Sequence, residues 1–296
     1  MVADDILRRL RAAEARIPDI QDDEAWASDR WVGTPTPVDE PLIVGLGDVE
    51  EEPVSWLWEE RIPLGAITVL DGHPGTGKST ITMDLAARLS TGRRMPDGSR
   101  GVLGSSLLLS AEDMLARPIR ARLEAAEADL SLIFGLEGVT DSMHPEGRLI
   151  RLPSDTRIIH RAILNTGARL MVIDPFFSYL DSEINTGIDA EVRHAMMPLT
   201  RVAQETECAI VLVRHLRKPD SRAKDKTPSL FDGGGSLGGI IGAARSGLAA
   251  VTDEDNPTYS TLFQTKSNWG AWVRPIDYSI EGPSRNSVGR IRWQPR

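Results

Sequence analysis

Short apolar runs alternate along the middle of the chain with stretches in which apolar residues recur every three or four positions. Each run is rich in aliphatic and β-branched residues and is bounded by polar residues or glycine, which predicts a buried strand. These runs cover residues 66–70, 105–110, 170–173 and 209–213. Such alternation with helical stretches predicts an α/β fold with a mostly parallel central sheet flanked by helices.

The helical stretches have recognisable ends. Ile81, Leu85 and Leu89 lie four residues apart and predict a helix that stops at Gly92. Further helices are predicted from Asp155 to Gly167, from Asp189 onward, and in a stretch that carries Arg117, Arg120, Arg122 and Leu123. Beyond residue 244 the pattern changes to successive strands near 247–252, 259–266 and 271–280, with a tail that completes the sheet. We expect these C-terminal strands to be antiparallel, because no helix separates them.

Charge divides the chain into two parts. The net charge of the 296 residues is −9, yet residues 1–60 alone hold 16 acidic residues against 5 arginines and no lysine. The sequence therefore predicts an acidic N-terminal arm or linker over residues 1–53, with a short amphipathic helix, and one folded domain over 54–296. Trp26 and Trp31 allow the arm to pack on the body or on a neighbouring subunit, and a solvated tether is the alternative.

Composition excludes several classes of protein. The one cysteine, Cys208, excludes a disulfide framework and a cysteine-based zinc site, and its apolar surroundings predict a small buried side chain. No apolar run approaches the roughly 18 residues that a membrane span needs. The N-terminus lacks a basic segment followed by an apolar one, so we expect a cytoplasmic protein with no membrane contact.

The strongest motif is the phosphate-binding loop. Its residues match G-x-x-x-x-G-K-[ST] and lie between a predicted strand and a predicted helix, which makes a chance glycine-rich turn a poor alternative. The nucleotide-binding residues are Gly72, His73, Pro74, Gly75, Thr76, Gly77, Lys78, Ser79 and Thr80. Backbone N–H groups and the helix N-terminus surround the phosphates, Lys78 adds positive charge, and the Ser79 hydroxyl binds Mg²⁺.

Carboxylates follow two of the predicted strands. Glu112 and Asp113 come after strand 105–110, and Asp174 ends strand 170–173. Because α/β sites lie at the C-terminal ends of parallel strands, we predict that Glu112 is the general base for water. Asp174 is predicted to hold Mg²⁺ through water, and Asp113 either to bind Mg²⁺ through water or to orient the base. The alternative for Glu112 and Asp113 is a favourable charge at a helix N-terminus.

Basic residues form a second group of candidates. His215 follows strand 209–213 and is predicted to contact the γ-phosphate or the attacking water, with a surface histidine as the alternative. Arg245 and Lys266 are candidates for cations that reach a phosphate across a subunit interface, or else are surface charges. The polar segment 217–235 predicts nucleic-acid contacts or a solvated loop, and its candidate residues are Lys218, Arg222, Lys224 and Lys226.

Taken in order, these motifs resemble a known family. The set comprises Trp-Leu-Trp at 56–58, GHPGTGKST, LLLSAED, LMVIDP, VLVRHLRK and TKSNWG, and it spans roughly residues 50–282. It resembles the RecA-like AAA_25 group, which includes RepA-type replicative helicases of plasmids and mobile elements. The resemblance implies a RecA-like core, usually in a hexameric ring with ATP sites between subunits and DNA in the central channel.

The resemblance also implies roles for residues that occupy the family's motif positions. Lys78 and Ser79 bind phosphate and Mg²⁺, Glu112 is the catalytic carboxylate, Asp174 is the Walker B acid and His215 is the sensor. Arg245 resembles a family arginine. The chain departs from the family before the Gly-Ser that follows the basic segment, because glycine precedes Gly235-Ser236 where an arginine is frequent.

The motifs and the resemblance together predict an Mg²⁺-dependent ATPase. We expect a ring-forming DNA helicase or a DNA-translocating motor that acts in the replication of a mobile element or a similar element. Single-stranded DNA, further copies of the chain and a protein partner for the arm are the expected partners. Two alternatives remain open, a filament-forming recombination or repair ATPase and an ATPase switch that acts on a protein partner without DNA.

Overall fold

The computed structural model describes residues 43–216, 237–253, 255–282 and 288–295. The chain divides into two compact units, Met1–Glu52 and Pro53–Arg296. The described part of the first unit, residues 43–52, is exposed and contains one 3-10 turn at Leu46–Asp48. The amphipathic helix predicted near the N-terminus and the basic candidates Lys218, Arg222, Lys224 and Lys226 lie outside the described residues.

The described residues of the second unit form eleven strands and five α-helices. The strands are β1 Trp56–Trp58, β2 Ile62–Pro63, β3 Ile67–Gly72, β4 Ser105–Ser110, β5 Ile133–Gly135, β6 Ala168–Asp174, β7 Ala209–His215, β8 Ser246–Thr252, β9 Tyr259–Ser267, β10 Ile276–Glu281 and β11 Arg290–Pro295. The helices are α1 Lys78–Thr91, α2 Ile119–Ala125, α3 Thr156–Thr166, α4 Asp189–Thr206 and α5 Leu237–Ala243. Short 3-10 turns at Leu130–Leu132 and Phe176–Tyr179 complete the set.

Nine strands make one sheet, in the order β11-β10-β9-β8-β3-β7-β6-β4-β5. The strands from β5 to β8 in this order pair in parallel, and β8, β9, β10 and β11 pair antiparallel. β1 and β2 form a separate two-stranded ribbon. The predicted fold class is confirmed, since this mixed sheet is that of a RecA-like core.

Helices cover both faces of the sheet because the buried strands are apolar on both sides. Along β7, Val211 and Val213 face the cluster that includes α1 and α2, whereas Ile210 and Leu212 face the cluster that includes α3, α4 and α5. This alternation follows from the two-residue period of a strand. β3 is buried along its whole length at the centre of the sheet. The loop that follows β3 therefore starts from a fixed position.

Most predicted elements are confirmed, and the helix ends show why. Gly92 and Gly167 take left-handed conformations, with φ of +65° and +60°, directly after α1 and α3. That conformation favours glycine and ends a helix by satisfying its last carbonyl groups. The C-terminal tail completes the sheet as β11, and Cys208 is fully buried, as the sequence predicts.

Other local predictions need correction. The helix predicted around Arg117 begins only at Ile119, because Pro118 precedes it as the N-cap residue. The strand predicted over 271–280 is shorter and begins at Ile276. Within the described ranges, no helix is both long and apolar enough to cross a membrane.

Candidate active site

The phosphate-binding loop joins the end of β3 to the start of α1. Gly75 and Gly77 both have φ of +86°, a left-handed conformation that glycine adopts without strain. Thr76 closes the loop on itself, since its N–H and its hydroxyl donate to the His73 carbonyl over 3.3 and 3.0 Å. Pro74 is exposed at the tip. The loop thus curves around a space at the helix N-terminus, where the dipole favours an anion.

Lys78 is the first residue of α1 and lies almost fully buried beneath this loop. Its Nζ donates to the carbonyl oxygens of Gly72 and His73 over 2.8 and 2.9 Å. Burial lowers the pKa of Lys78 to about 8, against the attraction of Asp174, Asp71 and Glu112. An anionic phosphate in the loop would offset that desolvation, so the lysine is held where a phosphate would stabilise its charge.

Ser79 and Asp174 bring two oxygen donors together beside the loop. The Ser79 hydroxyl donates to Asp174 Oδ2 over 2.6 Å, and Asp174 ends β6 in a buried position. Burial raises the pKa of Asp174, although the Ser79 hydrogen bond opposes the change. Mg²⁺ prefers hard oxygen ligands and needs few from the protein, because phosphate oxygens and water supply the rest. The pair therefore fits Mg²⁺, with the Ser79 hydroxyl and the Asp174 carboxylate as its protein groups.

Glu112 and His215 face each other at the same end of the sheet. His215 is the last residue of β7 and pairs in register with Gly72 of β3, while Glu112 follows β4. The distance from His215 Nε2 to Glu112 Oε2 is 3.7 Å. The Glu112 side chain is 64% exposed, whereas that of His215 is 33% exposed. His215 Nε2 is itself buried and has no hydrogen-bond partner among the residues that the structure describes, so it is available to a ligand.

Asp113 is engaged elsewhere. Its carboxylate forms an ion pair with Arg122 of α2, and its N–H donates to the Ser110 hydroxyl over 3.2 Å. The ion pair directs Asp113 toward α2, in contrast with Asp174, whose carboxylate meets Ser79. A role for Asp113 at the metal stays a prediction.

Arg245 and Lys266 lie at the opposite end of the sheet. The Arg245 N–H donates to the carbonyl of Ile67, the first residue of β3, over 2.9 Å. Lys266 pairs with Gly247 at the start of β8 and donates to the Ile241 carbonyl. Gly72 lies five residue steps along the strand from Ile67, which is roughly 16 Å at the usual rise of a strand. The structure therefore does not bring these two cations to the phosphate loop of their own chain.

Sequence reasoning missed a buried ion pair beside the loop. Arg214 donates to both carboxylate oxygens of Asp71 over 2.6 and 2.7 Å, and the two side chains are only 1% and 4% exposed. Burial raises the pKa of Asp71, although Arg214 opposes the change. The pair ties the end of β3, just before the loop, to the end of β7, just before His215. A charged residue at the end of each apolar run was the signal for it.

Tyr278 was also missed, and no local signal marks it. Its hydroxyl donates to the carbonyl oxygen of Thr76 in the phosphate loop from β10, 202 residues further along the chain. Ile280 of the same strand packs against Gly77, where an added Cβ would collide with it. The C-terminal strands thus support the loop on the side away from Asp174, since β10 and β6 lie on opposite sides of β3 in the sheet.

Comparison with protein families gives one result for this chain. Residues 34–221 match a family model, AAA_25, which is described as an AAA domain. The match includes the phosphate loop, Glu112, Asp174 and His215, and it ends before Arg245. No curated protein matches the chain.

Proposed function

Because the chain belongs to the AAA_25 family of AAA domains and is therefore an ATPase of the P-loop type, we propose that it is a DNA motor. In this proposal it hydrolyses ATP with Mg²⁺ in a ring of identical subunits and moves along single-stranded DNA as a helicase or translocase. The observation that carries the catalytic part is the convergence of Lys78, the Ser79–Asp174 pair and the Glu112–His215 pair at one end of the sheet.

Phosphate binding is the first task of these residues. The loop N–H groups and the N-terminus of α1 bind the β- and γ-phosphates. Lys78 exchanges its two carbonyl partners for phosphate oxygens and stabilises the negative charge that grows on the γ-phosphate in the transition state. Mg²⁺, when bound, would supply further neutralisation of the phosphate charge. Ser79 and Asp174 would hold it.

Water activation is the task of Glu112. Its carboxylate is exposed toward solvent and can accept a proton from a water molecule as the water oxygen attacks the γ-phosphorus and the bond to the β–γ bridging oxygen breaks. His215 lies next to this carboxylate, and its Nε2, which has no hydrogen-bond partner in the described part of the chain, can hydrogen-bond the γ-phosphate or the water. His215 would then respond to the presence of the γ-phosphate.

The oligomeric part of the proposal follows from distance. Arg245 and Lys266 are too far from their own phosphate loop to contact a nucleotide there, so a catalytic role for either requires the loop of a neighbouring subunit. A cation supplied in this way completes the charge stabilisation of the transition state. A closed ring places such an interface at every subunit.

The DNA part rests on sequence position and charge. Lys218 follows His215 by two intervening residues, and Arg222, Lys224 and Lys226 follow within the same segment. Cations in such a segment suit contacts to a phosphate backbone. Because these residues follow His215 closely in the sequence, a change at His215 on ATP hydrolysis can alter their contacts with DNA.

The test is ATP hydrolysis measured with and without single-stranded DNA. We expect DNA to stimulate hydrolysis, Lys78→Ala to abolish it, and replacement of Lys218, Arg222, Lys224 and Lys226 by glutamine to remove the stimulation alone. The matched control replaces four exposed arginines of α3 and α4 by glutamine, namely Arg157, Arg161, Arg193 and Arg201. That control should keep the stimulation.

A protein-directed switch is the second candidate, and the acidic charge of residues 1–60 favours it. Hydrolysis that is indifferent to DNA in the wild type would support it and contradict the motor. Electron micrographs of the protein with ATP and DNA separate the motor from a recombinase, because closed rings support the former and open helical filaments the latter.

A further inference from the structure

Tyr278 makes a contact with the phosphate loop that the catalytic scheme does not use. The side chain is fully buried in β10, and its hydroxyl donates to the Thr76 carbonyl. The Tyr278 ring packs on Trp293 with the ring centres 5.4 Å apart, and Trp293 Nε1 donates to Asp84 of α1 over 2.7 Å. The hydroxyl is therefore held at the loop by a ring that packs on Trp293, and Trp293 is itself bonded to the helix that follows the loop.

The contacted carbonyl belongs to the same peptide group as the Gly77 N–H. This peptide is trans, so its C=O and its N–H point in opposite directions. Holding the Thr76 oxygen on the β10 side consequently directs the Gly77 N–H toward the other side. The Gly77 N–H makes no hydrogen bond to another residue that the structure describes, whereas the neighbouring Thr76 N–H donates to His73.

Without the Tyr278 contact, the Thr76–Gly77 peptide could rotate easily, because residue 77 is glycine. Its φ of +86° is left-handed, and glycine populates that region and its mirror image with little difference in energy. Ile280 closes the outer side, since a Cβ at residue 77 would collide with its Cδ1. The loop thus has a glycine that permits rotation and a tyrosine from a distant strand that opposes it.

We infer that Tyr278 is a positioning residue for nucleotide binding, whose hydroxyl holds the Thr76–Gly77 peptide with its N–H directed at the phosphates. The inference rests on the nucleotide site proposed above. In this inference the C-terminal strands hold the loop in its binding conformation before the nucleotide arrives. Nucleotide binding then loses no free energy in ordering this peptide. Burial raises the pKa of Tyr278 to about 12, so the hydroxyl stays protonated as a donor at neutral pH.

The test is Tyr278→Phe, which removes the hydroxyl and keeps the ring that packs on Trp293. The dissociation constants of ATP and ADP are measured by calorimetry, and kcat and KM by steady-state hydrolysis. We expect both dissociation constants and KM to rise about 5- to 10-fold, the usual effect of one lost hydrogen bond, with kcat at saturating ATP nearly unchanged. Tyr259→Phe is the control, because Tyr259 lies in the adjacent strand and is 37% exposed.

Four outcomes would overturn the inference. Lower thermal stability of Tyr278→Phe with unchanged dissociation constants would show a structural role alone. A loss of kcat without a change in KM would place the hydroxyl in the chemical step instead. A wild-type protein that binds no ATP would overturn the nucleotide site and this inference together, whereas normal wild-type binding with an unaffected variant would overturn the inference only.

Hydrogen exchange supplies a second readout that stability alone would not move. In the ATP-bound wild type, the amide of Gly77 is expected to be protected relative to the free protein. In Tyr278→Phe with saturating ATP, we expect faster exchange at that amide, with α1 still protected at wild-type rates. Equal protection of Gly77 in both proteins would contradict the proposed role.

Discussion

The two ends of the parallel strands differ in how their charged residues are arranged. At the C-terminal end, Ser79 meets Asp174 and Glu112 faces His215 within a single chain. At the N-terminal end, Arg245 stacks over Trp269 with its guanidinium 6.0 Å from the ring centre, next to Lys266 and remote from the loop. The first group can therefore act on a nucleotide bound to its own chain. The second group lies too far from the loop of its own chain to contact a nucleotide there.

The largest effect on stability is expected from the buried ion pair at the C-terminal end. Asp71→Asn leaves the Arg214 charge buried without a counter-ion, which should lower the free energy of unfolding by about 3–5 kcal/mol. Urea unfolding of the nucleotide-free protein measures it. The double variant Asp71→Leu/Arg214→Met removes both charges and should recover most of the loss.

A small effect of Asp71→Asn would show that the Asp71–Arg214 pair contributes little to stability. If the single variant loses less than about 1 kcal/mol, the pair behaves as a solvent-exposed one and does not hold β3 and β7 together. Asp253→Asn, at the exposed end of β8, is the control for a carboxylate without a buried partner. It should leave unfolding unchanged.

The next effect concerns the N-terminal end and tests action between subunits. Arg245→Ala should lower kcat by about 100-fold while the dissociation constant of ATP changes little, because the lost charge acts on the transition state. Mixing Arg245→Ala with Lys78→Ala should restore part of the hydrolysis, since some mixed interfaces contain an intact Lys78 facing an intact Arg245. Arg161→Ala, an exposed arginine on α3, is the control for loss of charge.

Two results would remove Arg245 from this role. Full activity of Arg245→Ala would show a surface charge, and an inactive variant that no mixture restores would show a need for Arg245 within its own subunit. The same mixing design applies to Lys266→Ala. Burial and the nearby Arg245 lower the pKa of Lys266, so Lys266 loses its positive charge at a lower pH than an ordinary lysine does.

The smallest effect is expected at Cys208, which lies at the N-terminal end of β7. The side chain is fully buried, and burial raises the pKa of its thiol to about 12. Since the thiolate is the reactive form, an aromatic disulfide reagent at pH 8 should label the protein only after urea unfolds it. Rapid labelling of the native protein would show that this end of the sheet opens.

The buried Cys208 thiol is also expected to make the free energy of unfolding depend on pH. In the unfolded chain it ionises near its ordinary pKa of about 8.5, whereas in the folded protein it keeps its proton until about pH 12. The unfolded state therefore binds fewer protons between these values, and the free energy of unfolding should fall as pH rises through this range. Cys208→Ala should lessen the decline in urea unfolding midpoints between pH 8 and 11. An equal decline in both proteins would contradict this origin.

Local patterns were enough to predict the residues around the phosphate loop. The apolar run before Gly72, the spacing of Ile81, Leu85 and Leu89, and the stop at Gly92 are all short-range features. Asp174 was identifiable because a carboxylate ends an apolar run. The same reasoning missed α5, since its glycines and small residues give no helical periodicity.

Long-range contacts were beyond the sequence pattern. Asp71 and Arg214 are 143 residues apart, and only the pairing of β3 with β7 brings them together. Tyr278 depends on the position of β10, three strands away from β3 in the sheet. Nothing in the composition of residues 276–281 distinguishes a tyrosine that supports the loop from one that fills the core.

ATP hydrolysis by Glu112→Gln in a single turnover tests most directly whether Glu112 is the general base. The variant keeps the size of the side chain and removes its ability to accept a proton. We predict hydrolysis at least about 100-fold slower than in the wild type, with ATP bound normally. Glu124→Gln, an exposed glutamate paired with Arg120 on α2, should hydrolyse ATP at the wild-type rate. Unchanged turnover by Glu112→Gln would contradict the assignment of the general base at the C-terminal end of the sheet.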